Sequence, residues 1–285
     1  MIDDVHTHAW EYPTHFGSRF REEARRARSG VEVDLTVRYE DYAASFPEGE
    51  DFRAIVFGGK ASLSGVWVDD RYVANYVAQD PSRLVGFLSV DPTQSGWESE
   101  LKAGHLELGL RGIKLLPMYA GFRPDAPALD PLWEYASEHS LPVLLHTGTT
   151  FISVAPLECT LPRHLDPVAI RFPQVKIIMA HLGHPYEGEC IAVIRKHPNV
   201  FADLSALHYR PHQLYHSLML VQEYGVWDKV LFGTDYPFTT AAATVRDLLT
   251  LGARFAVSES DLLDPAAIER LIHRPTLSLL GLEPT

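Results

Sequence analysis

Two histidines stand one residue apart in "DVHTH", close to the start of the chain. In an extended segment, residues two apart project to the same side. His6 and His8 would then be presented together, as two ligands of one metal ion must be. Three groups of matching chemistry lie far away in sequence: His146 in "LLHTG", His181 in "MAHLGHP" and Asp235 in "LFGTDYP". Several imidazoles with one carboxylate suit zinc or another borderline divalent cation, and not calcium, which takes many oxygens. We assign His6, His8, His146 and Asp235 as the metal ligands. His181 is either a further ligand or a base beside the ion. We favour the base, because a divalent ion acidifies water and an imidazole accepts a proton at neutral pH. Asp235 is the alternative group for that proton, and the sequence does not separate the two roles.

These residues need a frame that brings them together. Short apolar runs recur along the chain: "IDDVHTH" at 2–8, "RAIVFG" at 53–58, "RLVGFLSV" at 83–90 and "LRGIKLL" at 110–116. They continue as "LPVLLHTG" at 141–148, "VKIIMAHLG" at 175–183, "NVFADLS" at 199–205 and "KVLFGTDYP" at 229–237. Most are continuous rather than alternating, as expected of parallel strands covered on both faces. Eight such runs, separated by segments long enough for helices, predict a single-domain α/β (β/α)₈ TIM barrel over residues 1–285. A closing helical segment is expected at about 264–282. In such a barrel the chemistry sits at the C-terminal ends of the strands. His6 and His8 end the first run, His146 the fifth, His181 the sixth and Asp235 the eighth. The first and eighth strands are neighbours once the barrel closes. A doubly wound open sheet is less suitable, because no glycine-rich fingerprint follows the first run.

The bulk composition narrows the function further. At 285 residues with 46% hydrophobic residues, the chain can bury a sizeable core. Its net charge of −12 argues against a broad nucleic-acid or anionic-membrane surface. A small anionic substrate remains compatible, since one local arginine reverses the field in a pocket. No run approaches the length of a membrane-spanning helix. Two cysteines, Cys159 and Cys190, without metal or disulfide spacing, read as reduced thiols of a cytoplasmic protein.

With its strand-end motifs "DVHTH", "LLHTG", "MAHLGHP" and "LFGTDYP", the sequence resembles the amidohydrolase-related branch of the metal-dependent amidohydrolase superfamily. That branch includes lactone hydrolases and non-oxidative decarboxylases of aromatic or muconate-like acids. The resemblance implies one divalent metal, zinc for preference and manganese as the other candidate, on His6, His8, His146 and Asp235. It also implies that His181 activates water or handles a proton, and that the chain forms a homodimer or larger homo-oligomer. In other branches a carboxylated lysine on the fourth strand bridges two metals. Lys114 in "GIKLLP" is instead read as a pocket or structural cation.

The loops after the strands should line the substrate pocket. "LPMYAGFRPD" offers Tyr119 and Arg123, "SALHYRPH" offers His208, Tyr209 and Arg210, and Trp10 follows the histidine pair. Arginine pairs with a carboxylate in a fork that lysine cannot reproduce. The arginine-rich "RFREEARRARSG" at 19–30 is expected to be a solvated helix or an active-site cover. The reaction expected is hydrolysis of a small lactone or amide bearing a carboxylate. Metal-dependent decarboxylation is the alternative.

Overall fold

The computed structural model describes residues 1–32 and 34–284. Each of the eight apolar runs contains a strand. In chain order these are β1 (Ile2–His8), β2 (Phe52–Phe57), β3 (Leu84–Ser89), β4 (Ile113–Leu115), β5 (Val143–Leu145), β6 (Ile177–Met179), β7 (Val200–Asp203) and β8 (Val230–Leu231). They make one sheet in that order, every paired neighbour parallel. Backbone hydrogen bonds join its two edges: Val5 N to Phe232 O at 3.0 Å, Asp235 N to His6 O at 2.8 Å and His8 N to Tyr236 O at 3.1 Å. The sheet is a (β/α)₈ barrel.

The longer helices follow the strands, and all but the first of them cover the strands' outer faces. They are α1 (Ser18–Ala27), α2 (Asp70–Val77), α3 (Trp97–Leu106), α4 (Asp130–Glu138), α5 (Leu165–Arg171), α6 (Glu187–Lys196), α7 (Pro211–Glu223) and α8 (Ala241–Phe255). Strands buried on both faces explain why the sequence runs are continuous rather than alternating. One set of side chains packs against the helices. The other, including Val5, Ile55, Phe87, Leu144, Ile178 and Leu231, fills the barrel interior.

The tail closes the end opposite the histidines. It is made of two helices, α9 (Pro265–His273) and α10 (Thr276–Leu280). Proline at 275 disfavours helical backbone at Arg274 and cannot continue the helix itself. Leu277, Leu280 and Leu282 join the interior cluster, and the Leu277 amide donates to Asp3 Oδ2 at 2.8 Å. Each of these buried leucines contributes about 2 kcal/mol of burial free energy. Among the described residues, no helix is long and apolar enough to cross a membrane.

α1 belongs to the connection between β1 and β2 but lies over the mouth of the barrel. Its buried residues, Phe20 and Ala24, are four apart and share one face. Phe20 packs edge-on against Phe151 at 5.6 Å, and Arg26 donates to the Phe151 carbonyl at 2.8 Å. This segment is the cover that its sequence allowed.

Candidate metal centre and cavity

The five expected groups meet at the strand ends. His6 Nε2 lies 3.4 Å and His8 Nε2 3.0 Å from Asp235 Oδ1. Ligand atoms of His6, His181 and Asp235 all lie within 4.8 Å of one another. His146 stands beside them, its Nδ1 3.3 Å from His181 Nε2.

The backbone produces this convergence in two ways. β1 keeps His6 and His8 on one side, with a register irregularity between Asp4 and Thr7. After β6, three successive residues adopt left-handed φ values: His181 at 62°, Leu182 at 49° and Gly183 at 66°. This turn brings His181 inward. Gly148, at φ +97°, lies so close to the turn that an added Cβ would sit 2.0 Å from the His184 carbonyl oxygen. The glycine of "LLHTG" therefore lets the β5 and β6 loops interlock.

Three of the four histidines have one nitrogen engaged by protein and the other turned toward the cluster. His6 Nδ1 pairs with Asp203 Oδ2 at 2.8 Å. His181 Nδ1 lies 2.8 Å from Ser205 Oγ, whose hydroxyl in turn donates to Asp203 Oδ1. His146 Nε2 donates to the Thr149 carbonyl at 3.1 Å. This pattern leaves unprotonated nitrogens on His6, His146 and His181 facing inward, as metal ligation or proton acceptance requires. His8 stacks on Trp10 with centroids 3.7 Å apart, and its buried Nδ1 has no hydrogen-bond partner among the described residues.

Burial sets the charge balance. It pushes His6, His8 and His181 well below the usual histidine range and His146 down to about 3. The same desolvation pushes the Asp235 carboxyl well above its ordinary value. Neutral imidazoles with inward-facing lone pairs beside one carboxylate are the donors that a borderline divalent cation takes, so the donor set fits a metal.

Two carboxylates that the sequence analysis left without roles organise this set. Asp203, at the end of β7, holds His6 with one oxygen. With the other it accepts from the His181 amide at 3.0 Å and the Ser205 amide at 3.0 Å. Asp4 accepts from the His6 amide, the Thr234 amide and hydroxyl and the Tyr42 hydroxyl, at 2.7–3.1 Å. It ties β1 to the segment after β8, and burial raises its carboxyl to about 6 despite those hydrogen bonds. The "DVHTH" motif contains Asp4, and Asp203 shares the strand-end position of the ligands; that position was the available signal.

Above the cluster is a cavity of about 590 Å³. Trp10, Lys114, Tyr119, Tyr209 and Arg210 line it, together with His6, His8, His146, His181 and Asp235. Lys114 is 1% exposed, with its ammonium 4.2 Å from the Phe57 ring centroid. Burial pulls it down to about 7, against the opposing pull of Asp203 and Asp235. Tyr119 meets His146 edge-on at 4.9 Å. Arg123 does not line the cavity. Its guanidinium pairs with Asp125 at 2.6 Å, a local partner two residues away, and lies 3.8 Å from Glu158. His208 is also outside the lining and buried.

Arg28, just beyond α1, also lines the cavity, its guanidinium 5.4 Å above the Phe238 ring. Arg210 lies 4.6 Å over Tyr209 in the same way. Neither arginine, nor Lys114, has a carboxylate partner among the described residues. Many arginines elsewhere do, including Arg26, Arg53, Arg83 and Arg163. In a chain of charge −12, these cations give the cavity a locally positive field.

The fold is shared with solved structures of low sequence identity. An uncharacterized TIM-barrel protein, Bb4693 from Bordetella bronchiseptica, superposes with a TM-score of 0.72 at 20% identity, covering 100% of this chain and 99% of that one. A probable 2-pyrone-4,6-dicarboxylic acid hydrolase from Acinetobacter baumannii, with citric acid bound, gives 0.67 at 14% identity and 98% and 99% coverage. A 5-carboxyvanillate decarboxylase from Novosphingobium aromaticivorans, with bound manganese, gives 0.64 at 15% identity and 99% and 97% coverage. No curated protein matches the sequence. The family model described as amidohydrolase matches residues 3–281. The chain therefore belongs to this amidohydrolase family, a metal-dependent family of enzymes.

Proposed function

We propose that this protein is a metal-dependent hydrolase of a small cyclic ester or amide that carries a carboxylate. The observation that carries this reading is the meeting of His6, His181 and Asp235 within 4.8 Å at the floor of a cavity lined by unpaired cations. His6, His8, His146 and Asp235 would hold one divalent ion. Zinc suits the nitrogen-rich donors best, and manganese is the other candidate. When bound, the ion supplies Lewis-acid polarisation of the substrate carbonyl.

The chain's own residues do the rest. His181 accepts a proton from the attacking water at Nε2, because Ser205 engages Nδ1. Asp235 shares the proton load. Lys114, Arg210 and Arg28 draw the substrate carboxylate, while Trp10, Tyr119 and Tyr209 bound a flat ring. Non-oxidative decarboxylation of an aromatic or muconate-like acid is the second reading. A decarboxylase with bound manganese among the proteins of the same fold supports it.

The test is a substrate screen on protein loaded with zinc or manganese. Carboxylate-bearing lactones and amides are assayed for acid release, and aromatic and enoic acids for carbon dioxide. Acid release from a lactone or amide without carbon dioxide from the acids is expected. The opposite pattern overturns hydrolysis.

A further inference from the structure

A second imidazole lies on the β6 side of the cavity. His184 follows His181 by three residues, and the left-handed turn between them lets both side chains line the same space. His184 Nδ1 pairs with Glu187 Oε1 at 3.1 Å. Glu187, the first residue of α6, is 6% exposed. Its Oε1 also accepts from Gln213 Nε2 at 2.5 Å and from the Ser217 hydroxyl at 3.2 Å, both on α7. Burial alone would raise the Glu187 carboxyl; the hydrogen bonds, led by that from His184, hold it below its ordinary value. An anchored carboxylate thus fixes one ring nitrogen of a histidine in the cavity wall. The other, Nε2, has no partner among the described residues.

We propose that His184 is the proton donor to the leaving group, oriented by Glu187, and separate from the base at the metal side. This assignment rests on the hydrolase reading. As water forms its bond to the carbonyl carbon, its proton passes to His181. As the carbon–ring oxygen bond breaks, its electron pair goes to the ring oxygen, which takes the proton from His184 Nε2. The products are a hydroxy acid, protonated His181 and neutral His184. Exchange with solvent restores both histidines, and ionisation of the acid releases one proton per turnover. A fixed imidazole–carboxylate pair suits this step because the carboxylate holds the ring's orientation and protonation pattern.

The experiment compares wild type, His184→Gln and Glu187→Gln, each loaded with zinc or manganese. The probes are γ-butyrolactone-γ-carboxylate, whose leaving group is an alkoxide, and a ring-carboxylated dihydrocoumarin, whose leaving group is a phenoxide. A phenoxide departs without an acid. His184→Gln is expected to lose about 100-fold on the alkyl lactone and less than about fivefold on the aryl lactone, with metal content unchanged. Glu187→Gln should show the same selective loss, smaller in size. Equal losses on both probes, or no loss on the alkyl lactone, make the pair a structural staple and overturn the assignment alone. If wild type opens neither probe, the hydrolase reading fails and takes the assignment with it.

Discussion

His6 Nδ1 and Asp203 Oδ2 lie 2.8 Å apart, joining the first strand of the barrel to the seventh. The contact fixes which nitrogen of His6 faces the cluster, and the other Asp203 oxygen holds the His181 amide and Ser205. One carboxylate therefore orients an expected ligand and the expected base together. Asp203→Asn keeps the shape but puts an amide where two acceptors are needed. Metal affinity should fall about 10–100-fold, and stability by about 1–3 kcal/mol from the disturbed buried hydrogen bonds. Chelator competition and urea unfolding measure the two effects. An affinity within about twofold of wild type would mean that His6 does not depend on Asp203 for its orientation.

The frame was legible in the sequence because burial on both faces writes a simple code: every strand is a short apolar run. The strand-end histidines and Asp235 were legible for the same reason, since the barrel rule says which end of each run matters. Asp203 and Ser205 were not, because one aspartate before a leucine and a serine also reads as a turn. Arg28 was hidden because the sequence does not say which part of the cover lies over the cavity. Arg123 failed differently. Its loop reaches the right end of the barrel, but Asp125, two residues on, captures the guanidinium locally.

His146 and His181 differ in what they should do to bound metal. With His146 as a ligand and His181 as the base, His146→Ala loses the ion. His181→Asn keeps about one ion per chain while turnover falls about 100-fold or more. Element-resolved metal analysis of chelator-free protein, with circular dichroism as the folding control, separates the cases. The close approach of His6, His181 and Asp235 sharpens this comparison. If His181→Asn empties the site as fully as His6→Ala, His181 is a ligand and the base lies elsewhere.

Arg28 and Arg210 approach the cavity from different elements, the cover and the loop after β7, and each rests on an aromatic face. Exposure at the rim weakens a single contact, so Arg28→Met and Arg210→Met should each raise KM for a carboxylate substrate about tenfold, with kcat nearly unchanged. Lys114→Met, at a buried position, should have a larger effect. The uncharged analogue of the same substrate is the control. Equal losses for charged and uncharged analogues would show that the arginines pack the cover rather than bind the anion.

His208 should make stability fall as the solution is acidified. Burial lowers it from 6.5 to about 4 in the folded protein, against weaker opposing effects from the Gly233 backbone, Asp247 and Asp203. Between those values the unfolded chain binds the proton and the folded chain does not. The contribution is therefore fully present above about pH 6.5 and is lost as pH falls toward 4. Between about pH 7.5 and pH 5 the loss is about 2 kcal/mol. Replacing His208 with methionine removes the titrating group and should flatten the profile by that amount. Urea unfolding of both proteins at the two pH values measures it, and the difference between them cancels the contributions of the cluster histidines. Parallel profiles would mean that His208 titrates alike in the folded and unfolded chains.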